Sequence, residues 1–233
     1  MIPIKELYDY PALERITHED GTRYYIDPEG NWLPSVTTIL SATDNNPELE
    51  AWKQRVGLKE SIRIRDEATG LGSLMHEHLE NYIQGIERPG GNNIVRAMAR
   101  NMADQVINQG LCHVDEVWGI EKQLYFPGLY AGTSDLIAVY KGKPSIIDYK
   151  TATKMKSRDK LGGYRLQGAA YCLSHNHLFN TEIEQIVILM VDRSYKFCEF
   201  VFNAEEYEQA CVDWIERLDG FVANFSKGES PSK

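Results

Sequence analysis

The chain has 233 residues, of which 42% are hydrophobic and 25% are charged, so it is long enough to bury one substantial core. Its net charge of −9 argues against a surface that is basic throughout. The sequence contains no apolar run of the roughly 18 residues that a membrane span needs, and its first residues lack a signal-peptide profile. We therefore expect a soluble, cytoplasmic, globular protein that does not bind membranes.

The N-terminal third predicts a small unit made of a hairpin and helices. Apolar and aromatic residues flank the turn signal DPEGN, which indicates a hairpin over residues 22–34. Ser35 is a candidate N-cap for a helix over VTTIL, and Asn46, before a proline, is a candidate N-cap for the next helix. Two amphipathic helices are predicted over residues 71–86 and 94–107, where apolar side chains recur every 3.6 residues.

From residue 117 onward the pattern changes to strands. Three segments rich in β-branched and aromatic residues, separated by Pro-Gly and Lys-Gly-Lys turns, predict neighbouring antiparallel strands. A helix over residues 160–176 and two further strands follow, and Asn203 with Glu206 predicts a capping box that opens a terminal helix. We therefore predict an α/β fold with a central mixed sheet of about five strands flanked by helices. The composition and terminal position of residues 227–233 predict a disordered tail.

Residues 131–171 carry the most informative pattern. Asp135 in AGTSD and Asp148 in IIDYK lie on neighbouring predicted strands, so both carboxylates can point to one side of the sheet. Lys150 lies two residues after Asp148 and shares its face, because side chains alternate along a strand. Such oxygen ligands suit Mg²⁺ or Mn²⁺, and the Lys150 ammonium can orient water and stabilise charge on a phosphate. The pattern predicts metal-assisted hydrolysis of a phosphodiester.

Four further residues can complete this site. Gln167 and Tyr171 are four apart on the following helix and share a face. Glu121 on the first strand is a candidate for another carboxylate, and His76 is a candidate metal ligand or phosphate contact. Each residue alone also has an ordinary structural interpretation, such as a helix-surface pair or an exposed strand residue. Their joint occurrence indicates a site.

Basic and hydroxyl side chains indicate where nucleic acid would lie. The segment KTATKMKSRDK forms one basic cluster and residues 53–65 contain another, although both patterns also describe solvated helix faces or loops. Hydroxyl groups at a helix N-terminus can bind a phosphate or simply cap the helix. The candidate contacts are Ser35, Thr37, Thr38, Lys154, Lys156, Arg158 and Lys160. Aromatic residues that can stack on bases, or belong to the core, are Tyr24, Trp32, Trp52 and Tyr164.

The motifs GSLMH, Glu121, GTSD, DYK and QGAAY, in this order and spacing, resemble those of RecB-type nucleases in the PD-(D/E)xK superfamily. The most similar types are the single-strand DNA exonucleases of mitochondrial genome maintenance and their phage counterparts. The resemblance implies a restriction-endonuclease-like nuclease core at residues 70–226, with residues 1–69 as an appendage packed on it. The implied metal ligands are His76, Glu121, Asp135, Asp148 and the carbonyl of Tyr149.

The resemblance also implies which partners and cofactors to expect. Mg²⁺ or Mn²⁺ is expected, with Lys150 assisting the water. No iron–sulfur cluster is expected, because the cysteines are too dispersed for the layout that some relatives use: Cys112, Cys172, Cys198 and Cys211. The sequence has no Gly-rich phosphate-binding helicase motif, so unwinding would come from a helicase or from a recombination, repair or replication partner.

Three functions remain open from the sequence. The first is a metal-dependent deoxyribonuclease acting as an exonuclease on single-stranded ends, because no sequence-reading module is recognisable and the helices before the sheet can form a wall over a strand. The second is a structure-selective endonuclease with the same site. The third is a nucleic-acid-binding module that keeps the fold without catalysis. The polarity of digestion and the oligomeric state are left open.

Overall fold

The structure is a computed structural model in which residues 2–44 and 47–225 are described. Two predictions, the N-cap at Asn46 and the disordered tail at residues 227–233, lie outside the described residues. Among the described helices, none combines the length and the hydropathy that crossing a bilayer requires.

The helices and strands follow each other in a mixed order. The strands are β1 (Glu14–Thr17), β2 (Arg23–Ile26), β3 (Trp32–Pro34), β4 (Val114–Phe126), β5 (Tyr130–Tyr140), β6 (Lys143–Ala152), β7 (Ile186–Asp192) and β8 (Phe197–Phe202). The helices are α1 (Val36–Thr43), α2 (Pro47–Val56), α3 (Leu58–Gln84), α4 (Ile94–Gln109), α5 (Gly162–Phe179) and α6 (Glu205–Phe225).

The centre of the molecule is a mixed sheet with the strand order β4-β5-β6-β7-β8. Strands β6 and β7 run parallel, and the other neighbours run antiparallel. Parallel neighbours need a long crossover connection, which α5 supplies between β6 and β7. The predicted α/β fold, with a central mixed sheet of five strands flanked by helices, is confirmed.

Each face of this sheet packs against helices, because strand side chains alternate between the two faces. On one face, Ile147 and Tyr149 belong to a core that includes α3 and α4. On the other face, Ile146 belongs to a core that includes α1, α5 and α6. Asp148 and Lys150 alternate in phase with Ile146, so they face the α5 side of the sheet.

The hairpin predicted over residues 22–34 is confirmed as β2 and β3, and β1 adds a third strand to it. The sequence does not predict β1, because its residues are polar and mostly exposed and its order comes from pairing with β2. Leu13, Tyr25 and Leu33 pack against Ala131 of β5. The small sheet is therefore attached directly to the strand that carries Asp135.

The helix predicted over residues 71–86 has different ends, since α3 spans Leu58–Gln84. Its first turns are charged and form ion pairs within the helix, so apolar periodicity does not reveal them. Gly85 ends the helix in the left-handed conformation, with φ of 70°, and Ile86 beyond it is 54% exposed. The proposed boundary between residues 69 and 70 falls inside α3. The division into an appendage and a core stays a prediction.

Helix α6 begins at Glu205, and the predicted capping box of Asn203 with Glu206 is wrong. The Asn203 side-chain amide lies 3.4 Å from Gln185 Oε1, to which it donates. The Glu206 carboxylate accepts hydrogen bonds from the Arg158 guanidinium. Both side chains therefore form hydrogen bonds with residues that are distant in sequence. A local sequence pattern does not reveal such partners.

Candidate functional site

The candidate site forms where β5 and β6 separate. Their antiparallel ladder runs from Tyr140 opposite Lys143 to Leu136 opposite Ile147 and stops there. The next residues in register are the two aspartates predicted for the site. Instead of a ladder bond, the backbone N–H of Tyr149 donates to Asp135 Oδ2 at 2.8 Å. The sheet thus opens at its two acidic residues.

Glu121 lies on β4 beside Asp135, in an unusual backbone conformation. The flanking pairs are Ile120 with Leu136 and Lys122 with Ser134, so Glu121 stands opposite Asp135 in register. Its φ of 48° is in the left-handed region, which costs free energy for a residue with a side chain. Such local strain is often found at functional sites, and nothing in the sequence indicates it.

His76, Glu121 and Asp135 form a cluster whose ligand atoms lie within 4.8 Å of one another. His76 Nδ1 is 3.9 Å from Glu121 Oε1 and 3.8 Å from Asp135 Oδ2. Ligands of one octahedral Mg²⁺ lie about 3 to 4 Å apart, so these separations suit a single hard cation. His76 Nε2 lies 3.0 Å from the carbonyl oxygen of Tyr149, and when Nε2 donates to it, Nδ1 remains free as a ligand.

Asp148 is 2% exposed and lies next to Lys150. The Lys150 Nζ is 2.5 Å from Asp148 Oδ2. This ion pair lacks hydrogen-bond geometry, and neither carboxylate oxygen has a hydrogen-bond donor among the described residues. Lys150 partly compensates this buried charge, but the oxygens still lack hydrogen bonds, so Asp148 also fits a metal ligand.

The charged state of this pair follows from burial and from the neighbouring charges. Burial, followed by the charge of Asp135, raises the pKa of Asp148 to about 6 despite the opposing effect of Lys150. For Lys150, burial alone would lower the pKa, but the carboxylates of Asp148 and Asp135 outweigh it and raise the pKa above the ordinary value. Lys150 is therefore a permanent cation near neutral pH.

Glu80, which the sequence interpretation missed, adds a further carboxylate. Burial is the main cause of a raised pKa for Glu80 and of a rise to about 8 for Glu121, and the charge of the neighbouring Asp135 carboxylate also raises both pKa values. The Glu121 side chain keeps 37% of its surface exposed, so solvent moderates this effect. Glu80 lies one helical turn after His76, and this i, i+4 spacing is the signal that could have identified it.

The GTSD and QGAAY motifs contact each other through Gly132 and Tyr171. A Cβ atom at position 132 would lie 2.6 Å from Cε1 and 2.7 Å from the hydroxyl oxygen of Tyr171. The glycine is therefore required because the tyrosine ring lies against the strand. Gln167 and Tyr171 are both buried, as their shared helix face predicts. The two side chains thus lie on the Asp148 side of the sheet.

Of the hydroxyl groups predicted to contact phosphate, two hold α1 in place. Ser35 Oγ accepts from the Thr38 backbone N–H at 3.0 Å, which confirms Ser35 as the N-cap. Thr38 Oγ1 accepts from the backbone N–H of Arg23 at 2.9 Å, and both hydroxyl residues are buried. Thr37 is exposed and lines a cavity of about 400 Å³ that also includes Gln167.

The structure separates the predicted basic contacts into two groups. Lys156 and Lys160 line the cavity with Thr37, and Lys154 and Lys156 line a second cavity of about 290 Å³; Tyr164 borders both. Arg158 lies elsewhere, because its guanidinium donates to the Glu206 carboxylate and to a backbone carbonyl. In the second basic cluster, ion pairs with acidic neighbours are formed by Lys53, Arg63 and Arg65.

Comparison with known proteins adds independent information. No family model matches the chain. The chain is 28% identical over 207 residues to mitochondrial genome maintenance exonuclease 1 from Homo sapiens, and the match covers 82% of this chain and 59% of that protein. The resemblance predicted from the motifs is confirmed. The Mus musculus protein of the same name is 27% identical over 204 residues, covering 82% of this chain and 60% of its own length.

The chain spans about three fifths of the length of the curated relatives it matches, 59% for the human protein. A solved structure of a putative exonuclease from Eubacterium rectale has a TM-score of 0.49 and 10% identity to this chain. That likeness covers 66% of this chain and 65% of the other.

Proposed function

We propose that the chain is a metal-dependent deoxyribonuclease that hydrolyses phosphodiester bonds at single-stranded ends. The observation that carries the proposal is the placement of Asp135, Asp148 and Lys150 at the point where β5 and β6 separate. The similarity to proteins named as exonucleases supports the same reaction class. Unwinding of duplex DNA would then depend on a helicase or another replication, repair or recombination partner.

The side chains that would hold the metal are His76, Glu121, Asp135 and Asp148, with the Tyr149 carbonyl beside them. A nitrogen ligand among hard oxygen ligands suits Mg²⁺ or Mn²⁺. A divalent cation bound there supplies Lewis-acid polarisation of a phosphodiester oxygen and a lowered pKa for water. Glu80 would act from behind these ligands, as a further negative charge close to Glu121.

The role that follows for Lys150 is that of a fixed cation. Because its pKa is raised, the ammonium keeps its protons, donates a hydrogen bond that orients the attacking water, and stabilises negative charge that develops on the phosphate. It does not act as the base. Gln167 and Tyr171 position the adjacent strand segment and the Asp148 side of the site.

The proposed strand path runs through the two cavities beside Tyr164. Both are lined by lysines, and a single strand binds to basic grooves mainly through its phosphates. Thr37, Lys154, Lys156 and Lys160 are the proposed contacts. Ser35 and Thr38 contribute to this path indirectly, because they fix the position of α1. Arg158 also contributes indirectly, because its bond to Glu206 joins the segment before α5 to α6.

The test compares end-labelled linear and closed circular single-stranded DNA in Mg²⁺, in Mn²⁺ and in EDTA. We expect digestion of the linear form only, dependent on the metal, with a loss of at least about 100-fold in kcat for Lys150→Ala. Efficient cleavage of circles would favour the endonuclease. Hydrolysis by neither protein, with equal DNA binding by both, would favour a binding module.

A further inference from the structure

The ring of Tyr164 contacts two lysine side chains at the edge of the site. Lys150 Nζ is 5.0 Å from the ring centroid and Lys156 Nζ is 4.5 Å from it. Lys156 Nζ also donates to the Tyr164 hydroxyl at 2.8 Å. Tyr164 is in the first turn of α5, and its ring borders both cavities. No motif of the proposed nuclease function accounts for this residue.

We propose that Tyr164 is a positioning residue whose aromatic face, held by Lys156, fixes the Lys150 ammonium for the reaction. The inference rests on the proposed nuclease function and names a residue that this function needs. A cation over an aromatic face is attracted by the ring quadrupole, and the attraction grows when both groups are shielded from water. The Lys150 side chain is only 20% exposed, so this condition is met.

The ring is needed because the other partner of Lys150 is a proposed metal ligand. The Asp148 carboxylate attracts the ammonium at 2.5 Å in this structure. A divalent cation that shares Asp148 would weaken this attraction and repel the ammonium, and a lysine side chain has enough rotatable bonds to move away. An aromatic face attracts the ammonium without adding a charged ligand that competes for the metal.

Lys156 explains how the ring itself is held. The two glycines before Tyr164, Gly162 and Gly163, are exposed, and a Cβ at either would have no described atom within 4 Å. Tyr164 itself is partly buried and packs against the core on the α5 side of the sheet, which holds one side of the ring. The hydrogen bond from Lys156 to the hydroxyl and the contact of the same ammonium with the ring add to that packing.

The experiment compares Tyr164→Phe with Tyr164→Leu in the full chain. The Phe variant keeps the aromatic face, and the Leu variant removes it. For Tyr164→Leu we expect kcat on linear single-stranded DNA to fall about 3- to 30-fold with KM changed less than about twofold. For Tyr164→Phe we expect kcat within about threefold of the unmodified protein. Tyr82→Leu, at a tyrosine that is 42% exposed on α3, is the matched control and should change neither constant.

A second measurement needs neither metal nor activity. Lysines labelled with ¹³C at Cε report the ring current of a nearby aromatic face, and Lys150→Met identifies the Lys150 signal. We expect this signal to be displaced in the metal-free protein and in Tyr164→Phe, and to return toward the ordinary position in Tyr164→Leu.

The outcomes separate this inference from the proposed function. Metal-dependent hydrolysis that is equally fast in Tyr164→Leu would overturn the role of Tyr164 and leave the nuclease proposal standing. A rise in KM alone would also overturn it, since it would indicate a contact with DNA. An unmodified protein that hydrolyses no DNA in Mg²⁺ or Mn²⁺ would overturn both.

Discussion

Single residues at the site concentrate negative charge that the fold does not fully compensate. Glu80, Glu121, Asp135 and Asp148 lie together near the partly buried ammonium of Lys150. Burial raises the pKa of Glu121 to about 8 and that of Asp148 to about 6. The folded protein therefore holds protons that the unfolded chain would release, and without a divalent cation the site opposes folding at alkaline pH.

The free energy of unfolding of the metal-free protein should consequently fall as the pH rises from about 6.5 to 8. Over this range the folded state binds more protons than the unfolded state, because the pKa of Glu121 and that of Asp148 are higher in the folded state, and linkage makes the slope negative. Below about pH 6.5 His175 opposes this effect, because burial lowers its pKa to about 4 and it binds fewer protons in the folded state. We expect a loss on the order of 1 kcal/mol across the upper range, measured by urea unfolding at a series of pH values. Stability that rises over this range would contradict the assignment.

Two Glu→Gln variants on β4 provide the control for this effect. Glu121→Gln removes a carboxylate whose pKa is raised, so we expect higher stability than the unmodified protein at pH 8 together with weaker Mn²⁺ binding. Glu116 accepts hydrogen bonds from Lys5 and Trp118 that lower its pKa, so Glu116→Gln should give no gain in stability. Equal effects of the two substitutions would show that the site charge is not the cause.

The residues predicted most directly from sequence are those whose relation is local. Asp148 and Lys150 share a face because strand side chains alternate, and this needs no knowledge of the rest of the chain. Predicting Glu80 as part of the site requires knowing how α3 packs against the open end of the sheet. Predicting the left-handed backbone of Glu121 requires knowing the register of β4 on β5. Such features arise from tertiary structure and have no signature in a single sequence.

At the scale of elements, β5 and α5 are matched to each other by one glycine and one tyrosine. Gly132 lets β5 approach the Tyr171 ring, and the helix in turn holds that ring over the strand. Periodicity predicted both elements, but it did not predict their contact, since nothing local relates position 132 to position 171. The same limit explains β1 and the early start of α3, where pairing and charged residues decide the structure.

The substitution Gly132→Ala tests this contact. Its Cβ would lie 2.6 Å from the Tyr171 ring, so the ring or the strand must move, and we expect a loss of about 1 to 3 kcal/mol in the free energy of unfolding. We also expect a decrease in nuclease activity, because the displaced strand carries Asp135. Thermal and urea unfolding measure the first effect, and digestion of linear single-stranded DNA measures the second.

Gly70→Ala on α3 is the matched control, because an added Cβ there has no described atom within 4 Å. It should raise stability by about 0.5 to 1 kcal/mol through helix propensity. Adding Tyr171→Leu to Gly132→Ala should recover part of the lost stability, which a double-mutant cycle would measure as coupling. Strictly additive effects would show that the two positions do not contact each other.

At the scale of the whole molecule, the basic residues of this acidic protein fall into two groups with different roles. The net charge is −9, yet lysines line both cavities beside the site. Other basic residues pair with acidic ones and stabilise the scaffold, as Arg158 does with Glu206. Sequence composition gives the total charge, but only the fold shows which cations face a cavity.

This division predicts different results for Lys160→Ala and Arg158→Ala in a Lys150→Met background, where single-stranded DNA binding can be measured without rapid digestion. Lys160→Ala should weaken binding and reduce the slope of log K against log salt by about 0.7, the value for one phosphate contact with a single strand. Arg158→Ala should leave that slope unchanged and lower the free energy of unfolding by about 1 kcal/mol, since its guanidinium bonds to Glu206 and the Val201 carbonyl. Fluorescence anisotropy at several salt concentrations and urea unfolding distinguish the two. A reduced salt slope for Arg158→Ala would place the strand across α6 and would redirect the proposed path away from Tyr164.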